Sequence, residues 1–161
     1  MTVRIAVIGV GALGKHHARI LAALPGVELV GVVDTNEARA REIAATAVVP
    51  WATSAAELPW AVDAVTVAVP TKSHLAVALP FLQRGTAVLV EKPLARNAAE
   101  AGQMIDAAAR SGAVFGVGHT ERYNPAVTAV RPLIDHPGSS KCTAWARFPI
   151  AAWTSTWYSI S

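Results

Sequence analysis

Residues 2–34 read TVRIAVIGVGALGKHHARILAALPGVELVGVVD, and the fold is decided there. Thr2 to Ile8 is a short apolar run rich in β-branched side chains, the make-up of a buried strand. Gly9-Val10-Gly11-Ala12-Leu13-Gly14 follows as G-x-G-x-x-G and opens into KHHARILAAL, with apolar residues at helical spacing. Pro25-Gly26 stops that helix, and Glu28 to Val33 forms a second strand run ending on Asp34. A glycine triplet alone occurs in many folds. This one lies between a strand and a helix, with an acidic residue 20 positions past its last glycine, as a dinucleotide fingerprint requires.

Each part has a physical task. Gly9 permits the tight turn, Gly11 lets the backbone approach a pyrophosphate, and Gly14 allows the helix to pack closely on the strand. Ala12 and Leu13 complete the loop, whose helix amino terminus offers N–H groups and a partial positive charge to phosphates. Asp34 would accept hydrogen bonds from ribose hydroxyls. A carboxylate there repels a 2′-phosphate and Thr35-Asn36-Glu37 supplies no arginine for one, so NAD is expected over NADP. Asp34 also fits as the N-cap of the following helix, a role that can coexist with the first.

The composition narrows the class. The 161 residues make one ordinary domain, or one domain and a fragment of another; 53% are hydrophobic and 16% charged, enough to bury a sizeable core. The apolar stretch Ala61 to Val69 is broken by Asp63 and followed by Pro70, too short for a membrane helix. The chain enters a strand at once without a basic leader, so a cytoplasmic protein is expected. Cys142 is the single cysteine, which excludes an internal disulfide and a cysteine-based metal site. The net charge of +3 is scattered without basic clusters, which argues against nucleic-acid binding.

Beyond Asp34, a helix is expected from Asn36 to Ala45 and a short third strand within AVVPWAT, residues 47–53. Ser54 to Leu58 has the S-x-x-E spacing of a capping box and suggests a brief helical turn. Val62 to Val69 reads as a fourth strand stopped by Pro70, and Thr71-Lys72-Ser73-His74 starts a helix through Arg84, closed by Gly85. Ala87 to Val90 is a fifth strand ending on Glu91-Lys92-Pro93. Asn97 caps a helix that Ser111-Gly112 closes, and Ala113 to Gly118 is a sixth strand. Six strand runs alternating with helices predict an α/β fold: a Rossmann-type, doubly wound parallel sheet. Ligands of such sheets bind beyond the carboxyl ends of the strands, where Gly9, Asp34, Pro70, Glu91-Lys92 and His119 fall.

Four segments then carry a resemblance: GVGALGKHH at 9–17, VAVPTKSH at 67–74, VEKPLA at 90–95 and GHTERYNP at 118–125. In this order and at these separations they resemble the N-terminal half of the glucose–fructose oxidoreductase/inositol dehydrogenase family (Gfo/Idh/MocA), over roughly residues 2–136. The resemblance implies hydride transfer between a nicotinamide cofactor and a secondary alcohol of a sugar, inositol or sugar nucleotide. It implies that Lys92 lies between nicotinamide and substrate, where its ammonium stabilises alkoxide character and, if partial burial lowers its pKa, assists proton transfer. Glu91 would orient or balance Lys92, and Pro93 fix the turn; from the residues alone, Lys92 is equally a solvated lysine at a strand end. Pro70 and Thr71 would line a ribose. His74 would lie near the cofactor, with helix-capping or solvent-facing roles as alternatives. Arg122 resembles an arginine near cofactor or substrate, a structural salt bridge being the alternative. His16 and His17 read as structural. The last motif most resembles members acting on UDP-sugars.

Family enzymes are about twice as long, their second, mostly antiparallel domain forming the other substrate wall and the usual oligomer interface, so an assembly of identical chains is one expectation. Its D-x-x-x-H is not found after Pro125. The expected division is a dinucleotide-binding domain over 1–120, a connection toward a substrate domain over 121–136, and an atypical tail over 137–161, leaving a remnant of a second α+β domain. From Gly138 the tail holds Trp145, Trp153 and Trp157, and its only charged residues are Lys141 and Arg147. Translation out of frame is one explanation; a natural tail that pairs with a partner or stays disordered is the other. Three readings follow: an oxidoreductase seen as its cofactor half, a dinucleotide-binding module without turnover, and an interaction protein recruiting a partner through its tail.

Overall fold

The structure, a computed structural model, describes residues 2–56, 58 and 61–131. The chain divides into two units, one reaching His119 and one beginning at Thr120. In the first, strands β1 (Val3–Ile8), β2 (Val27–Val33), β3 (Trp51–Ala52), β4 (Ala64–Val67), β5 (Ala87–Val90) and β6 (Phe115–Val117) form one parallel sheet. The order is β3-β2-β1-β4-β5-β6, the doubly wound arrangement expected. Helices α1 (Gly14–Ala23), α2 (Glu37–Ala47), α3 (His74–Gln83) and α4 (Ala98–Ser111) connect the strands. A 3-10 turn at Thr71–Ser73 leads into α3.

Strand alternation divides the core between the two faces of the sheet. Val7 and Val32 join Ala18 of α1 and Ala44 of α2 on one face. Their neighbours Ala6, Ile8 and Val33 join Phe81 and Leu82 of α3 and Met104 and Ala107 of α4 on the other. Both faces are thus apolar along the central strands, which explains why these strands read as unbroken hydrophobic runs.

Local signals set the helix ends. Asn36 caps α2 by accepting the Arg39 N–H at 3.1 Å, so the cap belongs to Asn36 and not to Asp34. Asn97 caps α4 by accepting the Glu100 N–H at 2.9 Å, and Gly112 closes that helix at φ +73°. Three strands are shorter than their apolar runs. The fourth run extends from Val62 to Val69, yet β4 pairs with β1 only from Ala64 opposite Ile5 to Val67 opposite Ile8. β6 keeps three residues and β3 two. On the amino-terminal side the neighbouring strands run on, but only single backbone bonds reach them: Asp63 N–H donates to the Arg4 carbonyl, and the Val114 and Pro50 carbonyls accept from Val88 and Val32. At Ser54 the hydroxyl accepts the Ala56 N–H at 3.3 Å, while the expected capping partner Glu57 lies outside the described residues.

In the second unit a 3-10 turn, Thr120–Tyr123, precedes a short helix α5, Pro125–Val130. Asn124 caps α5 by accepting the Ala126 N–H, and its amide donates to Glu121 Oε2 at 2.8 Å. The segment 132–161, with the atypical tail and Cys142, lies outside the described residues. Among the described residues no helix is long and apolar enough to cross a membrane.

Candidate functional site

Strand register builds the site. Ile8 pairs with Val33 on one side and Val67 on the other; Val67 pairs with Val90, and Val90 with Val117. The next residue on each strand therefore stands in one row at the carboxyl edge: Asp34, Gly9, Ala68, Glu91 and Gly118. Backbone bonds hold the row, with the N–H groups of Gly9, Ala68, Glu91 and Gly118 donating to the carbonyls of Val33, Ile8, Val67 and Val90 at 2.7–2.9 Å. Between β1 and β4 the chain reverses its direction of winding, which opens the crevice where such sheets take ligands.

Three glycines shape the loop above that crevice. Gly9 has φ +85°, and a Cβ there would stand 2.8 Å from the Ala68 carbonyl. A Cβ on Gly14 would lie 1.7 Å from the Gly9 carbonyl oxygen, so helix and turn touch through backbone. Gly11 faces open space, its nearest such neighbour being Arg39 Nη1 at 4.0 Å. No side chain caps the amino terminus of α1, and Ala12 and Leu13 are exposed there. An uncapped helix terminus beside open space under Gly11 suits an anionic group.

Asp34 is 8% exposed. Its Oδ2 accepts the Val10 N–H at 3.0 Å and its Oδ1 the Asn36 N–H at 2.9 Å, so the carboxylate braces the glycine loop against the start of α2. Arg39 Nη1 approaches Oδ2 to 3.7 Å. The segment 35–37 holds no arginine, but the first turn of α2 brings one to the same place. Capping at Asn36 carries that signal, because it fixes which face of α2 residue 39 occupies.

His74 is 1% exposed, with Nδ1 3.1 Å from the Leu94 carbonyl and Nε2 2.9 Å from the Val69 carbonyl. It neither faces solvent nor caps its helix; it ties the loop before Pro70 to the segment after Pro93. Pro70 is exposed and Thr71 half-buried at the mouth of the crevice. Lys92 is exposed, and the Lys92–Pro93 peptide is cis. Burial therefore does not reach this lysine within the described residues. Glu91, 6% exposed, pairs with His17 Nε2 at 3.0 Å, while its other oxygen accepts the Lys92 N–H. Arg122 belongs to the second unit, where it is exposed in the turn Thr120–Tyr123. The structure thus gathers Gly9, Gly11, Gly14, Asp34, Pro70, Glu91 and Lys92 along one edge. His17, Thr66 and Arg39 are the additions; His17 stands one turn beyond the buried Gly14 and shares its helix face.

Sheet order, glycine loop, uncapped helix and strand-end carboxylate together define a nicotinamide-dinucleotide-binding Rossmann domain. The family model described as an oxidoreductase family with an NAD-binding Rossmann fold, Gfo/Idh/MocA, matches residues 3–119. This chain belongs to that family. UDP-N-acetylglucosamine 3-dehydrogenase of Acidithiobacillus ferrooxidans is 40% identical over 128 residues, covering 80% of this chain and 40% of the relative. scyllo-Inositol 2-dehydrogenase (NAD(+)) of Bacillus subtilis is 31% identical over 137 residues, with 83% and 40% covered. The structure of GenD2 from gentamicin A biosynthesis in complex with NAD superposes with a TM-score of 0.76 at 32% identity, over 82% of this chain and 38% of that one. The chain thus spans about 40% of the length of the curated relatives it matches.

Proposed function

We propose that this chain is the cofactor half of an NAD-dependent oxidoreductase acting on a secondary alcohol of a sugar, inositol or sugar nucleotide. The observation that carries the reading is the row of strand ends, with Asp34 toward one side, the open glycine loop between, and Glu91-Lys92 toward the other. The bound dinucleotide supplies the hydride acceptor or donor. The backbone N–H groups around Ala12 and Leu13 bind the pyrophosphate, and Gly11 leaves room for it. Asp34 keeps a lone pair on each oxygen beyond its backbone bonds, and with these it accepts the adenosine ribose hydroxyls.

At the other end, Lys92 donates a proton in a hydrogen bond to the reacting oxygen of the substrate and stabilises its developing negative charge. Pro70 and Thr71 line the nicotinamide side, and His74 holds their loop in place. The GHTERYNP motif and the 40% identity to a UDP-N-acetylglucosamine 3-dehydrogenase favour a sugar nucleotide within this class.

Calorimetric titration of the purified chain with NADH and NADPH tests the reading. NADH should bind more tightly, because Asp34 repels a 2′-phosphate; Arg39 at 3.7 Å should reduce that preference without reversing it. Absence of binding by either nucleotide overturns the proposal.

A further inference from the structure

We infer that His17 is a positioning residue: through Glu91 it fixes the backbone from which Lys92 emerges, and so sets where that lysine stands. The inference rests on the role proposed for Lys92, but the network itself is independent of any cofactor.

The imidazole of His17 bridges two strands. Nδ1 lies 2.6 Å from Thr66 Oγ1 and Nε2 lies 3.0 Å from Glu91 Oε1. Thr66 and Glu91 are both buried, so these bonds are shielded from competing water. With Nε2 donating to the carboxylate, Nδ1 is satisfied by the threonine hydroxyl in either protonation state of the ring, since a hydroxyl both donates and accepts. Thr66 thereby fixes the orientation of the ring.

Glu91 transmits that orientation to the chain. Its Oε2 accepts the N–H of the next residue, Lys92, at 3.0 Å, while its own N–H donates to the Val67 carbonyl at 2.9 Å. Residue 91 is therefore held on both sides, its carboxylate fixing the peptide to Lys92 and the sheet fixing the peptide from Val90. Space is reserved for it: a Cβ at Gly118 would lie 2.8 Å from Oε1 and 2.9 Å from Cδ. Gly118 stays a glycine here for want of room.

The alternative is that His17 merely fastens α1 to the sheet. That helix is already fastened by the backbone contact at Gly14 and by buried Ala18. The polar contacts of His17 add something else: they join the helix whose free amino terminus faces the phosphate site to the residue before Lys92. Both ends of the proposed dinucleotide site are then referred to one rigid element.

The test uses the full chain and amide hydrogen exchange read by NMR. In His17→Leu, exchange at the Lys92 N–H should accelerate at least about tenfold, because Glu91 loses the partner that holds it. The core amides of Val7 and Val88 should keep their parental rates. In His17→Gln, a side-chain N–H can still reach Glu91, and protection at Lys92 should return. Unchanged exchange at Lys92 in His17→Leu overturns the inference, as does acceleration shared equally by the core amides. A second arm adds saturating NADH: the Lys92 resonance should shift in the parent and less in His17→Leu. An equal shift in both overturns the link to Lys92. Failure of the parent to bind NADH overturns the proposed function and leaves the exchange result standing.

Discussion

Gly11 and Gly14 lie in one loop and carry opposite expectations. A side chain at Gly14 would drive into the Gly9 carbonyl oxygen, so Gly14→Ala should lower the melting temperature sharply or prevent folding. Gly11 has open space, so Gly11→Val should melt like the parent yet lose NADH affinity by at least about tenfold, through a clash with the incoming phosphate. Calorimetry and thermal denaturation of both variants separate the two glycines; normal NADH binding by Gly11→Val would contradict the loop's assigned task. The three glycines and Asp34 were legible because fingerprint spacing encodes them within one βαβ unit. His17 was not. Its partners Thr66 and Glu91 lie 49 and 74 residues away, and only the sheet order brings those strand ends beneath α1. Arg39 was half legible: its distance from Asp34 follows once Asn36, rather than Asp34, is seen to cap α2.

Elements were read best where both ends carry a chemical stop. β5 was expected from Ala87 to Val90 and occupies those residues; α4 runs from its Asn97 cap to Gly112 as its sequence dictates. Asn97→Ala should therefore cost about 1 kcal/mol of stability, read by urea denaturation. Strands without such stops were overread, because β-branched residues extend beyond the last paired position in β4 and β6. At the opposite end of the sheet, Arg4 of β1 and Asp63 before β4 clasp the two strands. The guanidinium bonds both carboxylate oxygens, at 2.9 and 3.2 Å, and holds the Asp63 carboxyl down from 3.8 to about 2. A depressed carboxyl contributes stability at neutral pH that is lost as pH falls through its folded value. Asp63→Asn should accordingly be less stable than the parent at neutral pH, and the difference should vanish as pH falls from about 4 toward 2, as acid titration of unfolding would show.

In the molecule as a whole, the helices divide the labour. Helices α3 and α4 close over one face with Leu82 and Met104 fully buried, away from the strand-end row. Leu82→Ala should cost roughly 2–5 kcal/mol in denaturant titration. Its NADH affinity per folded molecule should match the parent, since Leu82 lies in the last turn of α3, at the end remote from His74. The sheet of the first unit also terminates abruptly on both sides: its outermost strands, β3 and β6, are its shortest, with two and three residues. A foreign strand seeking to extend the sheet needs a run of unpaired N–H and C=O groups; the β6 margin presents few, whereas β3 covers only Val32 and Val33 of β2 and leaves Val27 to Gly31 without a partner strand on that side. The β6 margin is thereby guarded against templated lateral growth, and any pairing of a foreign strand is directed to the β2 side.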